Sequence, residues 1–137
     1  MGRKTLKITA DTNVLLRDAL RDDARQARLA AKALQGAEIV AVPIPVLCEF
    51  VWVLRRGYKR PVADIAKAIE HLMRSSNVTM NRPAAEAGVK MLRAGGDFAD
   101  GAIAYEGQWL GADEYVSFDS EAVSILKSQG KQARLLS

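Results

Sequence analysis

The sequence contains a single cysteine, Cys48, and a single histidine, His71, among its 137 residues. One cysteine cannot form a disulfide within the chain, and this usage suits a reducing compartment. One histidine does not make a zinc site. Because neither a disulfide nor a zinc site is available, an ordinary apolar core must stabilise the fold. Apolar residues make up 49% of the sequence, which is enough for one such core.

Long hydrophobic runs are also absent. The longest apolar stretch without a charge, Ile39 to Cys48, is too short to span a bilayer, and no N-terminal apolar run suits a signal peptide. The formal net charge of +4 is a mild excess, which permits an anionic partner such as nucleic acid without requiring one. We therefore expect a soluble, cytoplasmic protein.

Segments typical of strands alternate with helical segments along the chain, with no repeat or linker between them. We predict one domain, residues 1–137, of the α/β class, with a mostly parallel sheet covered on both faces by helices. The predicted strands are Leu6–Ala10, Ile39–Val42, Asn77–Met80, Tyr115–Phe118 and Ala133–Leu136. The predicted helices are Asp23–Leu34, Val46–Arg56, Pro61–Arg74, Ala84–Arg93, Asp97–Leu110 and Glu121–Gln129.

Acidic side chains follow two of these strands, at the ends where parallel α/β sheets bind ligands. Asp11 follows the first strand and opens the run Asp11-Thr12-Asn13-Val14, and Asp119 follows the fourth strand. Each also suits a helix N-cap, although Ser120 is an alternative cap beside Asp119. Taken singly, capping and a functional role explain each of the two residues about equally well.

Glu49 is the only charged residue in the helical run from Val46 to Leu54. A helix that is apolar all round is expected to be buried, and a buried carboxylate needs a partner or a metal ion. The alternative is that Glu49 reaches solvent from a narrow polar stripe. We favour burial, which makes Glu49 a candidate ligand.

Asp97 and Asp100 lie three residues apart at the start of a predicted helix. Asp97 has the position of an N-cap, and Asp100 lies in the first turn, as in a capping box. Asp100 also faces the apolar segment that follows. We predict that Asp97 caps the helix and that Asp100 has a functional role.

Four acids therefore become candidates for one site: Asp11, Glu49, Asp100 and Asp119. If the sheet brings them together, their mutual repulsion would raise pKa values and destabilise the fold unless a cation is present. Mg²⁺ and Mn²⁺ prefer oxygen ligands and leave positions for water and phosphate. Such a site can hydrolyse a phosphodiester.

The four segments resemble the motifs of a known family, in the same order along the chain. The sequence resembles the PIN-domain ribonucleases and, within them, the VapC-type toxins of bacterial toxin–antitoxin pairs. Asp11-Thr12-Asn13-Val14 looks like the opening motif, and Glu49 matches the family's buried glutamate. The segment from Asp97 to Ala104 is similar to the third motif, and Phe118-Asp119 is similar to the fourth. The resemblance covers nearly the whole chain.

The resemblance implies a three-layer α/β/α fold with strand order 3-2-1-4-5, usually as a homodimer. It implies a Mg²⁺- or Mn²⁺-dependent endoribonuclease that cleaves single-stranded RNA and is inhibited by a small antitoxin protein. The metal-site acids would be Asp11, Glu49, Asp100 and Asp119.

Further residues have roles implied by the same resemblance. Thr12 or Asn13 would orient the carboxylates by hydrogen bonds, and Asp97 would lie beside the metal ligands rather than among them. Gly101 departs from the family, where alanine is more usual, so we expect a less stable helix there and unchanged chemistry.

The densest basic cluster, Arg55-Arg56-Gly57-Tyr58-Lys59-Arg60, contains an aromatic residue. The cluster could bind RNA phosphates, with the Tyr58 ring stacking on a base, or it could be only the solvated end of a helix. The sequence favours neither alternative. Trp52 and Trp109 lie in apolar helical segments, so we expect them in the core or in a dimer interface.

A second function is compatible with the same acids. In a non-catalytic α/β interaction module, the aspartates would only cap helices, and Glu49 would need a separate explanation. This alternative predicts that the protein binds no metal ion.

Overall fold

The computed structural model describes residues 6–137, and the chain divides into two compact units. The first unit is Met1–Arg82 and the second is Pro83–Ser137. Each unit is described by itself below.

The first unit contains a three-stranded parallel sheet in the order β1-β2-β3. The strands are β1 (Lys7–Thr9), β2 (Ile39–Ala41) and β3 (Val78–Thr79). Val40 of β2 is paired with Ile8 of β1 and Val78 of β3. Because all three strands run in the same direction, Ala10 and Val42 both lie just beyond the carboxyl end of the sheet.

Helices connect these strands, as parallel pairing requires. They are α1 (Thr12–Leu20), α2 (Ala24–Gly36), α3 (Ile44–Trp52) and α4 (Val62–Arg74), with a π-helical segment, Val53–Gly57, that continues α3. The α2 helix begins where the Asp23 carboxylate accepts the Gln26 N–H at 3.0 Å. Pro45 fits the first turn of α3 because that turn needs no intrahelical donor.

The core of the first unit forms where the apolar faces of these helices meet the sheet. Leu47 and Phe50 of α3, Ile65 and Ile69 of α4, and Val40 of β2 are all fully buried. Burying one such side chain stabilises the fold by about 1.5–3 kcal/mol. The α3 helix is therefore buried on the side opposite Glu49, which is exposed.

The second unit contains three helices and a parallel pair of strands. The helices are α5 (Arg82–Arg93), α6 (Phe98–Trp109) and α7 (Ser120–Ser128), and the strands are β4 (Tyr115–Ser117) and β5 (Ala133–Leu135). Val116 of β4 is paired with Arg134 of β5. Met91, Val123, Leu126 and Ala133 form its buried cluster.

The predicted α/β class with parallel strands is confirmed. The predicted order 3-2-1-4-5 is found as its two parts, β3-β2-β1 in the first unit and β4-β5 in the second. Two features were not predicted: the α1 helix and the π-helical end of α3. Among the described residues, no helix combines the length and apolarity needed to cross a membrane.

Candidate active site

Asp11 lies between β1 and α1 and forms the N-cap of that helix. Its Oδ1 accepts the Val14 N–H at 3.1 Å, and the side chain is exposed. Capping engages one carboxylate oxygen, while an ionised carboxylate has two oxygens that can accept or ligate. The capping role weighed from the sequence is therefore present and is compatible with a second role.

Glu49 is exposed, so the prediction that it is buried is wrong. The apolar face of α3 packs on the core, while Pro45, Glu49 and Trp52 share the opposite, exposed face at helical spacing. The polar-stripe alternative describes this exposure correctly. Composition alone could not separate the two, because a helix can expose apolar residues such as Trp52, whose exposed fraction is 61%.

Thr12 links these two acidic positions of the first unit. Its hydroxyl donates to Oε1 of Glu49 at 2.7 Å, and Thr12 is buried. Because Thr12 follows the Asp11 cap directly, this hydrogen bond ties the Glu49 carboxylate to the start of α1. Asn13 is exposed and lines an open groove together with Asp11, Arg17 and Gln26.

Asp100 lies in the first turn of α6 in the second unit and is half-buried. The Tyr115 hydroxyl donates to its Oδ1 at 2.6 Å. Burial raises the pKa of Asp100, the Tyr115 hydrogen bond lowers it, and the negative charges of Asp97 and Asp119 raise it further, with a net upward direction. Burial and the same hydrogen bond raise the pKa of Tyr115, which keeps its proton as a donor.

Asp97 and Asp119 both precede helices, but only one of them caps by its side chain. Asp119 Oδ1 accepts the N–H groups of Glu121 and Ala122 at 3.0 and 3.2 Å at the start of α7. Asp97 has the N-cap position of α6, yet its carboxylate makes no capping hydrogen bond. The prediction that Asp97 caps the helix is therefore right for its position and wrong for its side chain.

The described structure thus holds the acids as two groups. The first unit joins Glu49 to the Asp11-Thr12 turn, and the second unit places the charges of Asp97 and Asp119 near Asp100. Across residues 6–137, no three His, Cys, Asp or Glu side chains are grouped closely enough to hold a metal ion. The donors themselves are all carboxylate oxygens, which suits hard cations such as Mg²⁺ and Mn²⁺.

Residues 8–122 match the PIN domain family. This chain belongs to the PIN domain family. PIN domains are in general nucleases, so the family indicates that the chain hydrolyses nucleic acid. The matched range contains Asp11, Glu49, Asp100 and Asp119 and crosses the boundary between the two units. No curated protein matches the chain.

Tyr115, whose hydroxyl contacts the candidate site residue Asp100, was not predicted from the sequence. It is the first residue of β4 and lies four residues before Asp119. The sequence around a tyrosine in a strand does not indicate which distant residue its hydroxyl will contact. The only available signal was that a partly buried tyrosine hydroxyl usually finds a hydrogen-bond partner.

The Thr12–Glu49 hydrogen bond leads to a first prediction. Thr12→Val keeps the shape of the side chain and removes the donor, so Glu49 loses its orientation. We expect nuclease activity to fall about 10-fold or more, the range found when groups that orient ligands are removed. Thr12→Ser retains the hydroxyl and should restore most of the activity. Equal activity in the valine and wild-type proteins, measured by cleavage of labelled RNA, would show that the hydrogen bond has no role in the reaction.

Proposed function

We propose that this PIN domain protein is a Mg²⁺- or Mn²⁺-dependent endoribonuclease that hydrolyses single-stranded RNA. The observation that carries the proposal is the PIN domain match over residues 8–122, a range that includes all four acids. The two units would act as one PIN domain, since the match crosses the boundary at Arg82.

Asp11, Glu49, Asp100 and Asp119 would hold the cation in this proposal. A bound Mg²⁺ or Mn²⁺ lowers the pKa of water and offsets the negative charge that develops on a phosphodiester. Glu49 is oriented by the Thr12 hydroxyl and Asp100 by the Tyr115 hydroxyl. Oriented carboxylates support this chemistry because they need not reorganise when the substrate arrives.

A biological role as a VapC-type toxin rests on the resemblance of the motifs. It brings with it a cognate antitoxin protein and a homodimer as proposed partners. Trp109 and Leu110 at the end of α6 are 78% and 79% exposed, so Trp109 is not a core residue of this chain. Large exposed apolar side chains of this kind are typical of surfaces that bind another protein.

Metal removal tests the proposed activity. We expect the protein to cut labelled single-stranded RNA in Mg²⁺ or Mn²⁺, to stop in EDTA, and to resume when excess Mn²⁺ is added. Calorimetric titration of the metal-free protein with Mn²⁺ should show saturable binding. Unchanged cleavage in EDTA would contradict the metal dependence.

The non-catalytic module is the second candidate, because Asp11 and Asp119 do cap helices as it expects. It predicts neither Mn²⁺ binding nor cleavage. The same two measurements therefore separate the two functions.

A further inference from the structure

The exposed face of α3 continues past Glu49 into aromatic and basic side chains. Trp52 follows Glu49 by three residues on α3, so these two side chains share one face, and Arg56 follows in the π-helical segment that continues α3. All three are exposed. Arg56 therefore lies beyond Glu49 and Trp52 along the same continuous helical segment.

The turn that follows the π-helical segment is held in a defined conformation. The Tyr58 N–H donates to the Val53 carbonyl at 3.1 Å, and the Arg60 N–H donates to the Leu54 carbonyl at 2.9 Å. Lys59 has a left-handed φ of 53°, which directs the chain back over the helix end. The backbone of this turn is therefore held in place, which fixes the points from which its side chains project.

Tyr58 is anchored by its hydroxyl and leaves part of its ring exposed. Arg17 of α1 donates from Nη2 to the Tyr58 hydroxyl at 3.2 Å and from Nη1 to Asp22 at 3.0 Å. The exposed fraction of Tyr58 is 39%. Arg17 lies about 7–8 Å beyond Thr12 along α1, so the same short helix carries the candidate catalytic turn and the anchor of this tyrosine.

Three cations close to Tyr58 in the sequence have no ion-pair partner in the described part of the unit, unlike Arg17, which pairs with Asp22. Arg56, Lys59 and Arg60 are exposed, and in the part of the chain that the structure describes they form no ion pair. A solvated helix end explains Arg56, whose charge favours the helix dipole. It does not explain Lys59 and Arg60, which lie beyond the last helical turn, where the dipole effect has faded.

We propose that Trp52, Arg56, Tyr58, Lys59 and Arg60, here called the α3 strip, bind single-stranded RNA. Stacking of bases on the two exposed rings and contact of phosphates with the three cations match the way proteins bind unpaired strands. The inference rests on the proposed function, because it gives the strand a path that ends beside Glu49 and Asp11. A duplex buries its base faces, so it would use the cations of the α3 strip but not the rings.

The role of the three cations of the α3 strip is tested by measuring how tightly the protein binds a labelled oligouridylate of about 12 nucleotides. Binding is measured by fluorescence anisotropy in EDTA, so that no metal-dependent cleavage occurs. We expect Arg56→Gln/Lys59→Gln/Arg60→Gln to weaken binding roughly 50-fold at 0.15 M salt and to reduce the salt slope by about 2. The matched control is Arg25→Gln/Arg28→Gln/Lys32→Gln, which removes the same residue types from the exposed face of α2. Equal losses in both variants would mean diffuse attraction and would overturn the proposal.

The stacking role of the Trp52 and Tyr58 rings is tested in the same binding assay. Trp52→Ala and Tyr58→Ala should each weaken binding about 10-fold, whereas Trp109→Ala should leave it unchanged. Tyr58→Phe keeps the ring and removes the hydroxyl that Arg17 contacts, so binding close to wild type would assign the loss in Tyr58→Ala to stacking. A thermal melt of each variant identifies any loss that comes from unfolding. A loss of binding in Tyr58→Phe as large as in Tyr58→Ala would contradict stacking.

The two proposals can fail separately. If the wild-type protein binds the oligouridylate through the α3 strip but cuts no RNA in Mn²⁺, the ribonuclease proposal fails and the α3 strip stands. If the wild-type protein cuts RNA but does not bind the oligouridylate, the α3 strip is wrong. The Trp52→Ala variant could instead change the oligomeric state and leave the RNA affinity unchanged. That result would identify Trp52 as a contact with a second copy of the chain and would overturn its assignment to RNA.

Discussion

Asp100→Asn is expected to lower RNA cleavage by more than about 100-fold, because groups that only orient metal ligands already contribute about 10–100-fold. The substitution removes the negative charge from a half-buried carboxylate and keeps its shape. The asparagine side-chain oxygen can still accept the Tyr115 hydroxyl, so the hydrogen bond across the second unit is retained. The loss should therefore come from charge rather than from unfolding.

The metal-free protein provides an independent check on the same variant. The pKa of Asp100 is raised by its burial and by the charges of Asp97 and Asp119, so the folded state binds a proton at this carboxyl more readily than the unfolded state does. The wild-type protein consequently loses stability as the pH rises through this raised pKa. Asp100→Asn should melt above wild type at neutral pH, and the difference should shrink on acidification toward the ordinary pKa of an aspartate.

Asp97→Asn is the matched control, since it makes the same chemical change three residues earlier on the same helix. Asp97 is exposed at the N-cap position and has no capping hydrogen bond from its side chain. We expect this variant to retain most of the cleavage activity. Comparable losses in the two variants would place Asp97 among the metal ligands, and wild-type cleavage by Asp100→Asn would remove Asp100 from the site.

The positions of the acids along the chain were predictable because strand ends and helix starts have local signals. Asp11 and Asp119 follow apolar strand segments, and both are observed between a strand and a helix. The sequence predicts the cap of α1 but not α1 itself, because this nine-residue helix begins with Thr12, Asn13 and Val14, which are weak helix formers. The π-helical end of α3, where the Tyr58 N–H donates to the Val53 carbonyl, has no local sequence signal.

The environment of Glu49 could not be predicted, because it depends on tertiary packing. An apolar run shows that a helix has a large hydrophobic surface, but it does not show how much of that surface the rest of the chain covers. In this structure α3 buries Leu47 and Phe50 and leaves Trp52 exposed beside Glu49. The Tyr115–Asp100 and Thr12–Glu49 hydrogen bonds join residues 15 and 37 positions apart, so no local pattern predicts them.

Gly101→Ala is expected to destabilise the protein by about 3 kcal/mol, the upper part of the usual range for overpacking. The sequence suggested only that glycine weakens the α6 helix where alanine is more usual. In the structure Gly101 is buried against α5, and an added Cβ would clash with the carbonyl oxygen of Ala87 and lie 2.7 Å from Cβ of Met91. A backbone carbonyl cannot rotate away, so α5 and α6 would have to separate.

Gly107→Ala on the same helix is the control for this prediction. An added Cβ at Gly107 meets no atom within 4 Å, so alanine should stabilise the helix by up to about 1 kcal/mol. Urea denaturation should therefore move the two midpoints in opposite directions, and in a thermal melt the Gly101 variant should unfold roughly 10 °C below wild type. A Gly101→Ala protein as stable as Gly107→Ala would show that α5 and α6 are not in close contact at this position. Because Asp100 is the neighbour of Gly101, the same separation should also displace its carboxylate from Tyr115 and lower cleavage in the fraction that remains folded.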